Sequence, residues 1–202
     1  GDVNASHLAA AISSVSAESG VTASARTVVN VEFQDGGAAT TDVIDHAAST
    51  SYTLNGVSVA LAGTNDTSTV ATVVTAINLA SNTNQLGVTA VQTGTFTMQL
   101  VNETGQNIVL VDAATTQSIK SVTNGAGDRV NAADTVHAPG VSESYEVSGQ
   151  ITLSALNGQI ELGSTATQQD DRTTAKTLWQ DLGFQMSSTP KGTIAGSSGI
   201  DL

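Results

Sequence analysis

The run SYTLNGVSVALA (51–62), followed by DTSTVATVVTAINLAS (66–81), GVTAVQT (87–93), TFTMQLV (95–101) and NIVLV (107–111), carries the strongest fold signal in the chain. Its first piece has two alternating apolar runs around Asn55-Gly56. That pair suits a type I′ turn, whose two central residues both need positive φ, so the piece reads as a hairpin. In the second piece Val70, Val73, Val74 and Ile77 form one apolar stripe of a helix, and Asp66 to Ser68 offer an N-cap. The helix is rich in β-branched residues, whose intrinsic helix propensity is poor, so it is expected to depend on packing against a sheet. The last three pieces read as strands, with turns at Thr93-Gly94 and Thr104-Gly105.

Upstream, NASHLAAAISSVSAESG (4–20) places Leu8, Ile12 and Val15 on one helical stripe. Asn4 or Ser6 can cap its start, and Gly20 stands where a C′ glycine belongs. A β-branched stretch follows, Val21 to Ala23 and then Val28, Val29, Val31 and Phe33, and Asp35-Gly36-Gly37 reads as a turn. Two of these segments are alike. AAAISSVSAESGVTAS (9–24) and TAINLASNTNQLGVTAV (75–91) share Ala-Ile in a helix, a polar turn, and Gly-Val-Thr-Ala opening a strand. Eight positions separate Ile12 from Gly20 and ten separate Ile77 from Gly87. We read a duplicated helix–turn–strand unit, which falls short of the three or so repeats a solenoid needs.

Residues 112–141 are polar and read as a connection with one short strand near 119–122. The β signal returns in ESYEVSG (143–149), QITLSAL (150–156) and QIELGS (159–164), with a second hairpin signal at Asn157-Gly158. DDRTTAKTLWQDLGF (170–184) reads as a short helix with Leu178 and Leu182 on one face, and GTIAGSSGIDL (192–202) as an extended tail.

Composition excludes several classes. The 202 residues hold 18 acidic against 6 basic side chains, a net charge of -12, with no cysteine and only 3% aromatics. Nucleic-acid binding needs cations to displace counterions from phosphate and rings to stack bases, and neither is supplied. The same sign argument excludes an anionic membrane surface. No apolar run approaches the roughly 20 residues needed to cross a bilayer, and no secretory signal is visible at the start. Without cysteine there are no disulfides and no thiolate sites. Disorder is countered by 39% hydrophobic residues in regular patterns, although about a quarter of the chain is Ser or Thr.

No phosphate-binding glycine loop, nucleophile elbow or HExxH is present. His7, His46 and His137 are far apart and lack the i, i+4 partner of a helical metal pair, so each reads as a surface or packing residue. Asp170-Asp171 can be drawn as an acid/base pair, but a helix N-cap favoured by the helix dipole is the simpler reading. Asp128, Asn131 and Asp134 offer oxygen ligands in a glycine-containing loop. Calcium uses such groups, yet the spacing is not that of an EF-hand and no terminal bidentate Glu follows, so a solvated turn is preferred. Trp179, beside Leu178 and Leu182, reads as a core anchor. No catalytic, cofactor or metal residue is assigned.

Residues 51–111, with YTLNGVSVAL, TAIN inside a helix, LGVTAV, TFTMQLVN and IVLV, resemble the IN motif of bacterial flagellins and hook-associated proteins. The unit 9–24 is similar to a second copy without its leading hairpin. GDVNASHL resembles the point where a flagellin's first conserved helical region gives way to its variable outer region, and QITLSALNGQIEL, LWQDLGF and GTIAGSSGIDL resemble the return toward the second conserved region. Residues 112–141 match least. The chain departs from a whole flagellin in lacking the long terminal helices with sustained apolar heptads that pack subunits together.

The resemblance implies the outer portion of a flagellin, a structural filament-surface module reached by flagellar export without a cleaved signal. It implies an extracellular location, contribution to motility and antigenicity, and contact with other flagellin subunits through conserved regions absent here. The isolated chain is expected to be monomeric, to need no cofactor and to be no enzyme. The missing HExxH argues against the protease insert that some flagellins carry. The expected fold is α+β, mainly antiparallel sheets with short packed helices. A proximal domain of 1–45 plus 142–202 would carry a distal domain of 46–141 inserted into it, which requires neighbouring chain ends. We therefore expect the terminal Cα atoms within roughly 20 Å. The alternative is an adhesin-like or hook-associated, filament-cap surface module that binds a host or glycan. Scarce aromatics weigh against a sugar-stacking platform.

Overall fold

The computed structural model describes residues 4–35, 43–44, 52–61, 68–112, 118–130 and 142–155. The fold is α+β, with mainly antiparallel sheets and a few short helices. The helices are α1 (Ala5–Ser14), α2 (Ser16–Ser19) and α3 (Val70–Asn84). The strands are β1 (Val21–Phe33), β2 (Tyr52–Leu54), β3 (Val57–Val59), β4 (Val88–Gln92), β5 (Thr97–Asn102), β6 (Ile108–Asp112), β7 (Ile119–Asn124), β8 (Glu143–Val147) and β9 (Gln150–Ala155). One sheet runs β4-β5-β1-β7 with β9 also on β1, and the other runs β3-β2-β6-β8. Every pairing is antiparallel.

The central strand is β1, 13 residues long. Its first half pairs with β9 (Val21↔Ala155 to Arg26↔Gln150) and its second half with β7 (Val29↔Asn124 to Phe33↔Ile119). β7 lies opposite β5 across β1, and β9 takes the length of β1 before Thr27. Gly125 marks the junction, because a Cβ there would stand 3.0 Å from Val28 Cβ and 3.6 Å from the Gln150 side chain. The opposite edge is covered by β5 from Thr27 onward. Alternation shows in burial: Val29, Val31 and Phe33 are buried, while Thr22, Ser24 and Arg26 are exposed. An exposed ion pair joins Lys120 to Glu32 across the sheet at 2.6 Å.

One core joins the two sheets and α3. It holds Val29, Val31 and Phe33 from β1, Tyr52 and Leu54 from β2, Val73 and Ile77 from α3, Leu100, Ile108, Leu110, and Tyr145 and Val147 from β8. Phe33 and Tyr52 meet edge to face, with centroids 6.4 Å apart. The expected division at 45 and 142 therefore runs between strands that share a sheet and a core, since β1 pairs with β5 and β8 pairs with β6. The expected closeness of Gly1 and Leu202, the Asn157-Gly158 hairpin and the helix at 170–184 lie outside the described residues.

Asn55 and Gly56 have φ of 49° and 81°, the two positive values of a type I′ turn. Helix α3 starts later than expected: Thr69 is the N-cap, and its side chain and that of Thr72 form a reciprocal capping box. It also ends later, at Asn84, and Val74 is only partly buried while Ala76 and Ala80 join Val70, Val73 and Ile77 in the core. Asn4 caps α1, its side chain accepting from His7 N at 3.0 Å. The N-terminal stripe does not hold through Val15, which is 49% exposed at the break between α1 and α2, so Ala5 and Ala9 supply the buried face.

Candidate functional site

Two places gather polar groups. The first is buried. Asp112, at the end of β6, has no exposed surface, and its Oδ2 accepts from Ser118 N at 3.0 Å, Ser118 Oγ at 2.9 Å and Ile119 N at 3.3 Å. Because Ser118 spends its one hydroxyl hydrogen on Asp112, the short bond between Tyr52 and Ser118 has the phenol donating. Ser118 O in turn accepts Gln34 N at 2.7 Å. The phenol of Tyr145 donates to the Glu143 carboxylate in another short bond. Burial pushes the Tyr52 and Tyr145 phenols well above their ordinary value, so both stay neutral donors.

This cluster ties the start of β7 to the start of β2 and the end of β6. A serine beside a carboxylate invites a nucleophilic reading. Here Ser118 and Asp112 are fully buried and Tyr52 is 1% exposed, so no substrate atom reaches them. The arrangement satisfies the backbone N–H groups of Ser118 and Ile119 at the start of β7.

The second place is open. A groove of about 430 Å³ lies between the N-terminus of α1 and the tip of the β2–β3 hairpin, lined by Asn4, Asn55, Gln106, Asn107 and Glu146 among others. Most of these amides already serve the fold. Asn55 Oδ1 accepts Val109 N at 2.7 Å and Asn55 N donates to Val109 O at 2.8 Å, which extends the β2–β6 ladder past the turn. Asn107 Nδ2 donates to Glu146 at 3.0 Å, and Asn107 Oδ1 is buried without a partner.

Of the sequence candidates, only His7 and Asp128 lie among the described residues. His7 is exposed on the first turn of α1. Asp128 sits in a tight turn with Asn124, whose Oδ1 accepts Asp128 N at 2.9 Å and Ala126 N at 3.0 Å. Asn131, Asp134, His46, His137, Asp170, Asp171 and Trp179 lie outside the described residues. Among the described residues no three His, Asp or Glu side chains are placed to hold a metal ion, and no helix is long and apolar enough to cross a membrane. Sequence reasoning missed the Asp112–Ser118–Tyr52 chain, whose members stand 6 and 66 positions apart and carry no motif.

The two copies of the duplicated unit share one polar device. Ser13 Oγ donates to Ala23 O and accepts from Ala23 N, both at 2.9 Å. Asn78 Nδ2 donates to Ala90 O at 2.9 Å and its Oδ1 accepts Ala90 N at 2.8 Å. Ser13 follows Ile12 as Asn78 follows Ile77, and both clamped alanines end a Gly-Val-Thr-Ala run.

No protein-family model matches the chain, and no curated protein matches it.

Proposed function

We propose that the chain is the surface-exposed outer portion of a flagellin, a structural module of an extracellular bacterial filament. The observation that carries this reading is the duplicated helix–turn–strand unit, led in its second copy by the Asn55-Gly56 hairpin, in the order found in flagellin IN motifs. The matching clamps on Ala23 and Ala90 support treating 9–24 and 75–91 as copies. The acidic coat suits a repeated outer surface, since like charge resists clumping of filaments within the ~8 Å screening length of physiological salt. Partners would be neighbouring flagellin subunits, met through conserved regions outside this chain. Light scattering is expected to find the chain monomeric at micromolar concentration, and ordered filaments from it alone would overturn the reading.

The polar groove at Asn4, Asn55 and Asn107 favours a second reading, a binding module of an adhesin or filament cap. Specific signals on a glycan array, or a melting shift on calcium titration, would favour that module over the structural one.

A further inference from the structure

The chain holds three Asn-Gly pairs, at 55–56, 124–125 and 157–158, and the last lies outside the described residues. An asparagine before glycine brings an electrophile and a nucleophile together, its side-chain amide carbon and the next backbone nitrogen. Glycine has no Cβ to obstruct their approach. The two described pairs hold that amide in different ways.

Asn55 sends its side chain across to another strand. Its Oδ1 accepts Val109 N at 2.7 Å and its Nδ2 donates to Asn107 O at 3.4 Å, which ties the amide to the β6 segment. Asn124 curls over the residues that follow it. Its Oδ1 accepts Ala126 N at 3.0 Å, and this bond closes a ring that contains the Gly125 nitrogen and keeps Cγ beside it. Asp128 N adds a second bond to the same oxygen at 2.9 Å, and Nδ2 donates to Asp128 Oδ2 at 3.2 Å. Two N–H groups on one carbonyl oxygen stabilise the negative charge that gathers there on attack. Asn124 is half-buried and Gly125 is exposed, so water reaches the pair.

We propose that Asn124-Gly125 is a site of spontaneous deamidation and that Asn55-Gly56 is shielded from it. Gly125 N bonds to Asn124 Cγ as the Cγ–Nδ2 bond breaks, and ammonia leaves with the proton of the Gly125 amide. Water then opens the cyclic imide at one of its two carbonyls. Position 124 becomes aspartate, or isoaspartate with the main chain routed through the side chain. One water is consumed, one ammonia is released and one negative charge is gained. The new carboxylate stands where an amide donated to Asp128, so like charges meet in the turn.

The test incubates the full chain in mildly alkaline buffer, native and in urea, and follows each Asn-Gly peptide by mass and isoaspartate content. The urea arm, in which both pairs are free, sets the time. In the native protein Asn124 is expected to convert at least ~10-fold faster than Asn55, whose amide must first leave the β6 segment. Asn124→Asp, the charge change made directly, should melt below the parent. Native conversion of Asn55 at the pace of Asn124 would overturn the proposal. So would an Asn124 that stays intact in the native protein while the urea arm converts it. An Asn124→Asp melt at or above the parent's would overturn the effect on the turn.

Discussion

Ser13 and Ala23 are joined twice through one hydroxyl, which donates to the alanine carbonyl and accepts from its N–H, both at 2.9 Å. The contact is local in sequence and tertiary in effect. It fixes the angle at which β1 leaves the α1–α2 turn, where Gly20 supplies the left-handed residue at φ 67°. Asn78 and Ala90 repeat it with an amide, and there Gln85 and Gly87 take the positive φ values. Hydroxyl and amide do the same work because each can donate and accept at once.

The two clamps are predicted to differ in cost. Ala90 is 3% exposed, so Asn78→Ala strands two buried backbone groups, at about 1–3 kcal/mol for each. Ala23 is half-buried, and water replaces the Ser13 hydroxyl there, so Ser13→Ala should cost about 1 kcal/mol. Urea unfolding of the two variants checks the order. Equal losses would mean that the clamp on β4 is not buried as described.

Among the described glycines, Gly105 leaves the least room for a side chain. It has φ 76°, and a Cβ there would lie 2.3 Å from Ala25 Cβ and 2.9 Å from the Ala25 carbonyl carbon. Gly105→Ala is expected to cost about 1–3 kcal/mol from overpacking, beyond the left-handed penalty. Gly56 also has positive φ but meets nothing within 4 Å, so Gly56→Ala should show the conformational penalty alone, about 1 kcal/mol. Thermal melts of both, and of Gly105→Ala with Ala25→Gly, test the geometry. The second change should recover part of the loss.

How far the sequence reveals this fold depends on the range of the interaction. The Asn55-Gly56 turn and the Gly20 cap are legible because the deciding contacts lie within a few residues. The start of α3 is misplaced because Asp66, Ser68 and Thr69 are all competent caps, and the reciprocal bond to Thr72 decides among them. Val15 falls off its expected stripe because the chain breaks there, which spacing alone does not announce. The clamps are invisible in one dimension. Ser13 and Asn78 read as ordinary polar helix residues until the following strand folds back beside them. The 13-residue β1 reads as two stretches because its first half carries Thr, Ala, Ser and Arg, and pairing with β9 makes it continuous.

The buried carboxylate should dominate its cluster. Asp112→Ala removes the acceptor of three donors and is expected to cost more than about 3 kcal/mol. Tyr52→Phe removes one donor from Ser118, which keeps its bond to Asp112, and should cost about 1 kcal/mol. Denaturant midpoints of the two variants decide. A mild Asp112→Ala would show that the donors of Ser118 and Ile119 are satisfied by other means.

Both tyrosines of the chain are placed where burial raises their phenols above the ordinary value of 10.0. The folded state thus holds protons that the unfolded state releases. The stability this brings is complete below pH 10.0 and is lost as pH rises beyond it toward the folded values. Ultraviolet titration of the native protein should show no phenolate growing near pH 10, followed by a cooperative rise when the fold gives way. In urea both should titrate normally. Native phenolate at the ordinary pH would contradict the buried placement of Tyr52 and Tyr145.

The proposed filament-surface role fixes where the chain resides. Antibodies raised against it and applied to intact cells that make it, followed by gold labelling in the electron microscope, test that directly. Label is expected at regular density along the whole length of the flagellar filament. Label confined to filament tips would indicate a cap or hook-associated protein, and label on the cell body alone an adhesin. Either result would contradict the account.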